Sequence, residues 1–165
     1  MLVDGSLFPA FKTMEWAEYR SKCQALKMHL AYELNRMIPV AFMSTAANYS
    51  ERKALIAFLQ AGVTYITDRG YLAFDIFQQI TAQQAFFITR IRYNINATVQ
   101  TALEVNIPES WNLFLSNITD ALVIFSGDQS KQTYRLICFY VGGEWYRITT
   151  NRFDLKTSEI IMLYA

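Results

Sequence analysis

The chain has 165 residues, of which 53% are hydrophobic and 15% aromatic, and a formal net charge of +1. This length and apolar content exclude a disordered chain and suit one compact domain with a sizeable core. The near-neutral charge excludes a strong global field for nucleic acid and leaves a local basic groove as the means of binding it.

No run of about 18 apolar residues occurs, so no membrane span is expected. The opening Met1-Leu2-Val3-Asp4 lacks the basic stretch and long apolar run of a signal peptide. Cys23 and Cys138 stand far apart with no metal-ligand spacing. Two isolated thiols without a secretion signal fit a reducing compartment.

Residues 1–8 open the chain as an apolar run that ends in a turn at Asp4-Gly5-Ser6. Segment 9–24 is mixed and charged, with Trp16 and Tyr19 among Lys12, Arg20 and Lys22. Residues 25–34 suit a strand, Asn35-Arg36 a turn and 38–44 a third strand, which together read as an antiparallel meander. The period then changes. Ser50 is placed to cap a helix whose buried stripe is Leu55, Ile56, Phe58 and Leu59 and which Gly62 ends. Strand 63–67 delivers Asp68, and a second helix spans about 71–83 with Leu72, Ile76, Phe77 and Ile80 inward. Residues 86–92 form another strand. The order β-β-β-α-β-α-β predicts an α/β fold, a mixed sheet flanked by helices.

From residue 94 the character shifts. Residues 94–108 are polar, and 111–118 are apolar without a clear period. Segments 121–125, 134–141 and 145–149 suit strands, the last two joined as a hairpin around Gly142-Gly143. This is a β-rich insertion over 94–152. Asp154 or Thr157-Ser158 caps a final helix that begins at Glu159 and stops about two turns in, with no C-cap signal.

The chemistry centres on two aspartates. Asp4 and Asp68 each follow a short apolar run and precede a glycine, so each reads as a carboxylate at the C-terminal tip of a buried strand. In open α/β sheets the ligand crevice lies outside those tips. Two carboxylates on neighbouring tips can share divalent metal ions. A third carboxylate would be needed to finish the usual site.

The segments VDGS at Asp4, KMHLAYELNRMIPVAFMSTAANYSERKAL, TDRGYLAFDIF at Asp68 and FFITRIRYN together resemble a bacterial insertion-sequence transposase with a DDE site, of the IS-four group. The resemblance covers nearly the whole chain. It implies a ribonuclease-H-like catalytic core whose first part is 1–93, a β-rich insertion over 94–152, and the start of the core's C-terminal helix over 153–165. It also implies cutting at transposon ends and joining of the freed 3′-hydroxyl to target DNA, with two Mg²⁺ (or Mn²⁺) ions held by Asp, Asp and Glu. One ion would activate water or the 3′-hydroxyl and the other would stabilise the leaving oxygen, about 3.5–4 Å away. Asp4 and Asp68 match the first two family acids. The third lies in a helix motif of Tyr, two residues, Arg, three residues, Glu. Tyr164 matches its tyrosine, and the arginine and glutamate would fall past Ala165. The chain also begins three residues before Asp4, without room for the N-terminal helical domain that usually recognises transposon ends. A truncated catalytic domain is therefore expected, binding Mg²⁺ weakly and inactive alone.

Arg69, Arg90 and Arg92 are candidates for phosphate contacts near the site; Arg90 resembles a family position that lines DNA. Lys12, Lys22 and Lys27 interleave with Trp16 and Tyr19, as in a DNA groove. Trp111 and Trp145 are candidates for base stacking, although such residues more often serve the core. His29, the single histidine, reads as a strand residue facing solvent or a satisfied partner rather than a base. The implied partners are transposon-end and target DNA and a homodimer with intact transposase, in the bacterial cytoplasm on the nucleoid. Two other readings stand beside this one. One is a DNA- or partner-binding remnant that interferes with intact transposase. The other is a ribonuclease-H-like nuclease with a rearranged acid set.

Overall fold

A computed structural model describes residues 1–11, 13–20 and 23–164. The first part of the chain forms strands β1 (Leu2–Pro9), β2 (Glu18–Arg20), β3 (Cys23–Glu33) and β4 (Ile38–Ala46). Helix α1 (Glu51–Phe58), strand β5 (Thr64–Thr67), helix α2 (Phe74–Ala82) and strand β6 (Phe86–Arg90) follow. The remainder supplies β7 (Ala97–Ala102), β8 (Ser116–Phe125), β9 (Thr133–Val141), β10 (Glu144–Thr150) and helix α3 (Thr157–Tyr164). No described helix is long and apolar enough to cross a membrane.

Among the described residues ten strands join one mixed sheet in the order β2-β3-β1-β5-β6-β10-β9-β8-β7, with β4 paired to β3. β1 lies antiparallel to β3 and parallel to β5, and β5 runs parallel to β6. β5 and β6 are short, aromatic and β-branched, and both their faces are covered, as expected for parallel strands. The fold is α/β, as its sequence order predicts. The β-rich stretch continues the sheet directly, because β10 pairs antiparallel with β6 from Arg90 to Ile88.

The pleat sends alternate residues to two cores. On one face Val3, Tyr65 and Phe87 pack with Leu55 of α1 and with Ile76, Phe77 and Ile80 of α2. The rings of Phe77 and Phe87 stack at 4.1 Å between centroids. On the other face Ile66, Ile88, Ile137 and Ile148 pack with Ile160 and Ile161 of α3. Helices therefore cover both faces near β5 and β6.

Three sequence expectations are corrected. Asp4 is not at a turn: β1 runs on through Gly5 to Pro9, because β3 offers an antiparallel partner for every one of these residues. The second helix does not begin at residue 71. Asp68 caps a short 3-10 turn, Arg69–Tyr71, by accepting the Gly70 N–H at 2.9 Å, and Leu72 and Ala73 are extended before α2 starts. Helix α1 ends at Phe58 rather than near Gly62, since the Tyr65 hydroxyl donates to the Phe58 carbonyl at 2.6 Å and accepts the Gln60 N–H at 2.9 Å.

Candidate functional site

The parallel pairing of β1 with β5 sets Leu2 beside Ile66. Two residues further along, the same register brings Asp4 level with Asp68. Alternation directs both toward the face that α3 covers. Both carboxylates are exposed. Among the described residues neither forms an ion pair, so their mutual repulsion is left to solvent or to a bound cation.

A second layer lies behind them. Glu51, first residue of α1, pairs with Lys27 Nζ at 3.2 Å. A Cβ at Gly5 would stand 3.2 Å from Glu51 Cγ and Oε1, and one at Gly70 would stand 3.5 Å from Glu51 Oε2. Glycine is needed at position 5 for that close approach. The Glu51 carboxylate thus fills the space between the backbones that follow the two aspartates. Tyr71 is buried, and its hydroxyl has no hydrogen-bond partner. Burial first, and then the charges of Glu51, Asp4 and Asp68, push its pKa well up. The Tyr71 hydroxyl is thus a buried donor without a partner, and its lost solvation costs about 1–3 kcal/mol.

His29 is fully buried, contrary to the solvent-facing alternative. Its Nε2 lies 3.0 Å from the Thr45 hydroxyl, while Nδ1 has no partner. Burial and the Lys27 charge push its pKa down, against a smaller opposing effect of Glu51. A neutral imidazole in this position is a packing element of the second layer.

Beside Asp68 rises a wall of basic and aromatic side chains. Arg69, Arg90, Arg147, Tyr93 and Trp145 line an open cleft of about 360 Å³. Arg90 stacks over the Tyr146 ring at 3.8 Å, pairs with Glu144 at 3.2 Å and donates to the Trp145 carbonyl at 3.1 Å. Arg147 donates to the carbonyls of Tyr93 at 2.6 Å and Ile95 at 3.0 Å. Arg69 and Arg92 are exposed. Trp145 is 54% exposed, whereas Trp111 is half-buried. Tyr164 lines a neighbouring cavity together with Arg90, Trp111 and Tyr146. Burial pushes its hydroxyl pKa up, with Arg90, Asp68 and Arg69 as smaller influences.

Helix α3 is held there by the β-rich part. Arg135 on β9 donates to Asp120 on β8 at 2.9 and 2.6 Å, and both side chains are buried. The Thr157 hydroxyl at the start of α3 donates to the same carboxylate at 2.8 Å. Thr157 therefore serves the helix start. Asp154, the other expected cap, is bound by Arg152 instead at 2.7 Å. Glu159 takes a capping role that sequence did not assign, accepting the Lys156 N–H at 2.7 Å.

The structure brings Asp4, Asp68, Arg69 and Arg90 to one region. Lys27 is turned inward onto Glu51, away from the expected groove. Lys12 and Lys22 lie outside the described residues. Sequence reasoning did not single out Glu51, Tyr71 or Arg147. A glutamate in the first turn of a helix is ordinary in sequence, and its approach to Gly5 and Gly70 depends on the fold. Among the described residues, no three His, Cys, Asp or Glu side chains are grouped closely enough to hold a metal ion. The residues nonetheless fit part of a divalent site: two exposed carboxylates without a cationic partner, two residues beyond the paired Leu2 and Ile66.

The family comparison is specific. A model described as "Transposase DDE domain" matches residues 1–165, and the chain belongs to that family. The chain is similar to "Putative transposase y4zB" of Sinorhizobium fredii (strain NBRC 101917 / NGR234), with 28% identity over 109 residues. The match covers 66% of this chain and 31% of that relative, so the chain spans about a third of the relative's length.

Proposed function

We propose that the chain is the catalytic part of an insertion-sequence DDE transposase with a ribonuclease-H-like core, built for cutting and strand transfer of transposon DNA. The observation that carries this reading is the register of Asp4 and Asp68 on adjacent parallel strands. The strand order β4-β3-β1-β5-β6, with only β3 opposed to its neighbours, supports the ribonuclease-H-like assignment. Asp4 and Asp68 would hold Mg²⁺ or Mn²⁺, and two such ions activate the attacking hydroxyl and stabilise the leaving oxygen. Arg69, with Arg90 and Arg147 behind it, would orient the phosphate backbone beside the acids. Trp145 offers a face for an unstacked base.

Among the described residues no third acid joins Asp4 and Asp68, and two carboxylates by themselves would hold a divalent ion weakly and would be inactive in strand transfer. Mg²⁺ keeps its waters and binds tightly only with well-placed ligands. A strand-transfer assay with Mg²⁺ or Mn²⁺ tests this: efficient joining by the 165-residue chain would overturn the inactivity. Manganese titration tests the site itself. Asp4→Asn and Asp68→Asn should each weaken binding, and an unchanged affinity in both would overturn the metal assignment.

A second reading is favoured by the basic, aromatic cleft. The chain would bind transposon ends or an intact transposase subunit without chemistry and so interfere with transposition, in the cytoplasm and on the nucleoid. Titration against transposon-end DNA at low salt tests it, and absence of binding there removes it.

A further inference from the structure

The metal-site reading above leaves Glu51 unexplained. It is not one of the two aspartates and it starts a different element, yet its carboxylate sits between Gly5 and Gly70, the glycines that follow them. Lys27 holds it from one side at 3.2 Å. Two nearby polar groups of buried residues, the Tyr71 hydroxyl and His29 Nδ1, have no partner. Nδ1 would lie 3.4 Å from a Cβ at Gly5, and the Tyr71 hydroxyl feels Glu51, Asp4 and Asp68 together. A fully packed structural ion pair would not leave two buried polar atoms unbonded around it.

We propose that Glu51 is a positioning residue of the divalent-metal site, a wedge between the backbones at Gly5 and Gly70 that fixes the separation of Asp4 and Asp68. Lys27 neutralises the wedge, so it adds no unpaired charge behind the two aspartates. In this arrangement the shape of the Glu51 head group matters more than its charge. The inference rests on the metal-site reading, and its test separates the two.

The experiment titrates Mn²⁺ against the 165-residue chain, following free Mn²⁺ by electron paramagnetic resonance, with folding checked by circular dichroism. Outer residues that orient metal ligands are worth about 10–100-fold in affinity, so Glu51→Ala should weaken Mn²⁺ binding by about tenfold, whereas Glu51→Gln should stay within about threefold of wild type. Gly5→Ala crowds Glu51 Cγ and Oε1 without removing a charge. It should weaken binding as Glu51→Ala does, and it provides the test if Glu51→Ala does not fold. Three results would overturn the inference. If Glu51→Ala or Gly5→Ala binds as tightly as wild type while Asp68→Asn does not, the wedge is wrong and the metal site stands. If Glu51→Gln is as weak as Glu51→Ala, charge rather than shape is at work. If Asp68→Asn binds like wild type, the metal-site reading fails and the wedge fails with it.

Discussion

Two carboxylate centres in this molecule are built in opposite ways. Asp120, buried in the β-rich part, receives two hydrogen bonds from Arg135 and one from Thr157. Asp4 and Asp68, on β1 and just past β5, are exposed, and among the described residues have no cationic partner. A buried carboxylate without its arginine would be an uncompensated charge, so the Asp120 centre is a clamp that joins β8, β9 and α3. An exposed pair of acids contributes little to folding: Asp68 accepts one backbone hydrogen bond, from Gly70, and the pair is otherwise open to solvent. Satisfaction marks structure here, and its absence is what the proposed metal site rests on.

The contrast should break first under mutation of the clamp. Arg135→Met leaves Asp120 buried and unpaired, and should lower the unfolding free energy by about 3–5 kcal/mol. Asp68→Asn should leave the urea midpoint near that of wild type. Equal losses in the two variants would erase the distinction. The converse experiment adds metal. Mn²⁺ at ten times its dissociation constant should stabilise the chain by about 1.4 kcal/mol through mass action. Thermal melts with and without the ion should show that gain in wild type and neither Asp4→Asn nor Asp68→Asn should show it.

The cleft gives a smaller effect. Arg69 is exposed and beside Asp68. If it meets a phosphate, Arg69→Ala should reduce the salt slope of DNA binding by about 1, measured by fluorescence anisotropy between low and physiological salt. Arg92→Ala provides a comparison outside the cleft-lining set, and an unchanged slope for Arg69→Ala would move the DNA path elsewhere.

The smallest expected effect is a pH dependence from His29. Lys27 and Glu51 act on its ring, and Thr45 and Tyr49 pack against it. Its folded pKa lies below the usual 6.5, so the unfolded chain binds more protons below that value. Stability from a neutral, buried His29 is full above pH 6.5 and declines as pH falls toward the lowered folded value. His29→Gln should flatten the fall in melting temperature between pH 7.5 and the acid side of that window, and an identical slope in both proteins would assign the titration to another group.

Much of the fold was legible because period and chain order report it directly. The switch from alternation in 25–44 to the helical stripe of Leu55 and Ile56, then back at Tyr65 and Ile66, places helices among strands and gives α/β. Gly142 and Gly143 marked the β9–β10 hairpin, and both have positive φ, 58° and 86°. Three features were not legible. The continuation of β1 past Asp4 depends on β3 lying beside it. The break between residues 71 and 74 follows a side-chain cap by Asp68. The 94–152 stretch reads as an insertion along the chain, and only the pairing of β10 with β6 shows that it prolongs the same sheet.

The site divides in the same way. Asp4, Asp68 and the arginines at 69 and 90 stand out in sequence, because a carboxylate after a buried apolar run is costly unless it has a task. Glu51 and Tyr71 could not be found so, since a first-turn glutamate and a buried tyrosine are ordinary in isolation. Sequence alone determined the α/β class, the two aspartates and the likeness to DDE transposases, since all three rest on residue type and order. Tertiary structure alone decided that β1 and β5 run in parallel register, that Lys27 turns inward onto Glu51, and that Glu51 reaches between Gly5 and Gly70. Those facts are distances between segments far apart in the chain, and no local preference encodes them.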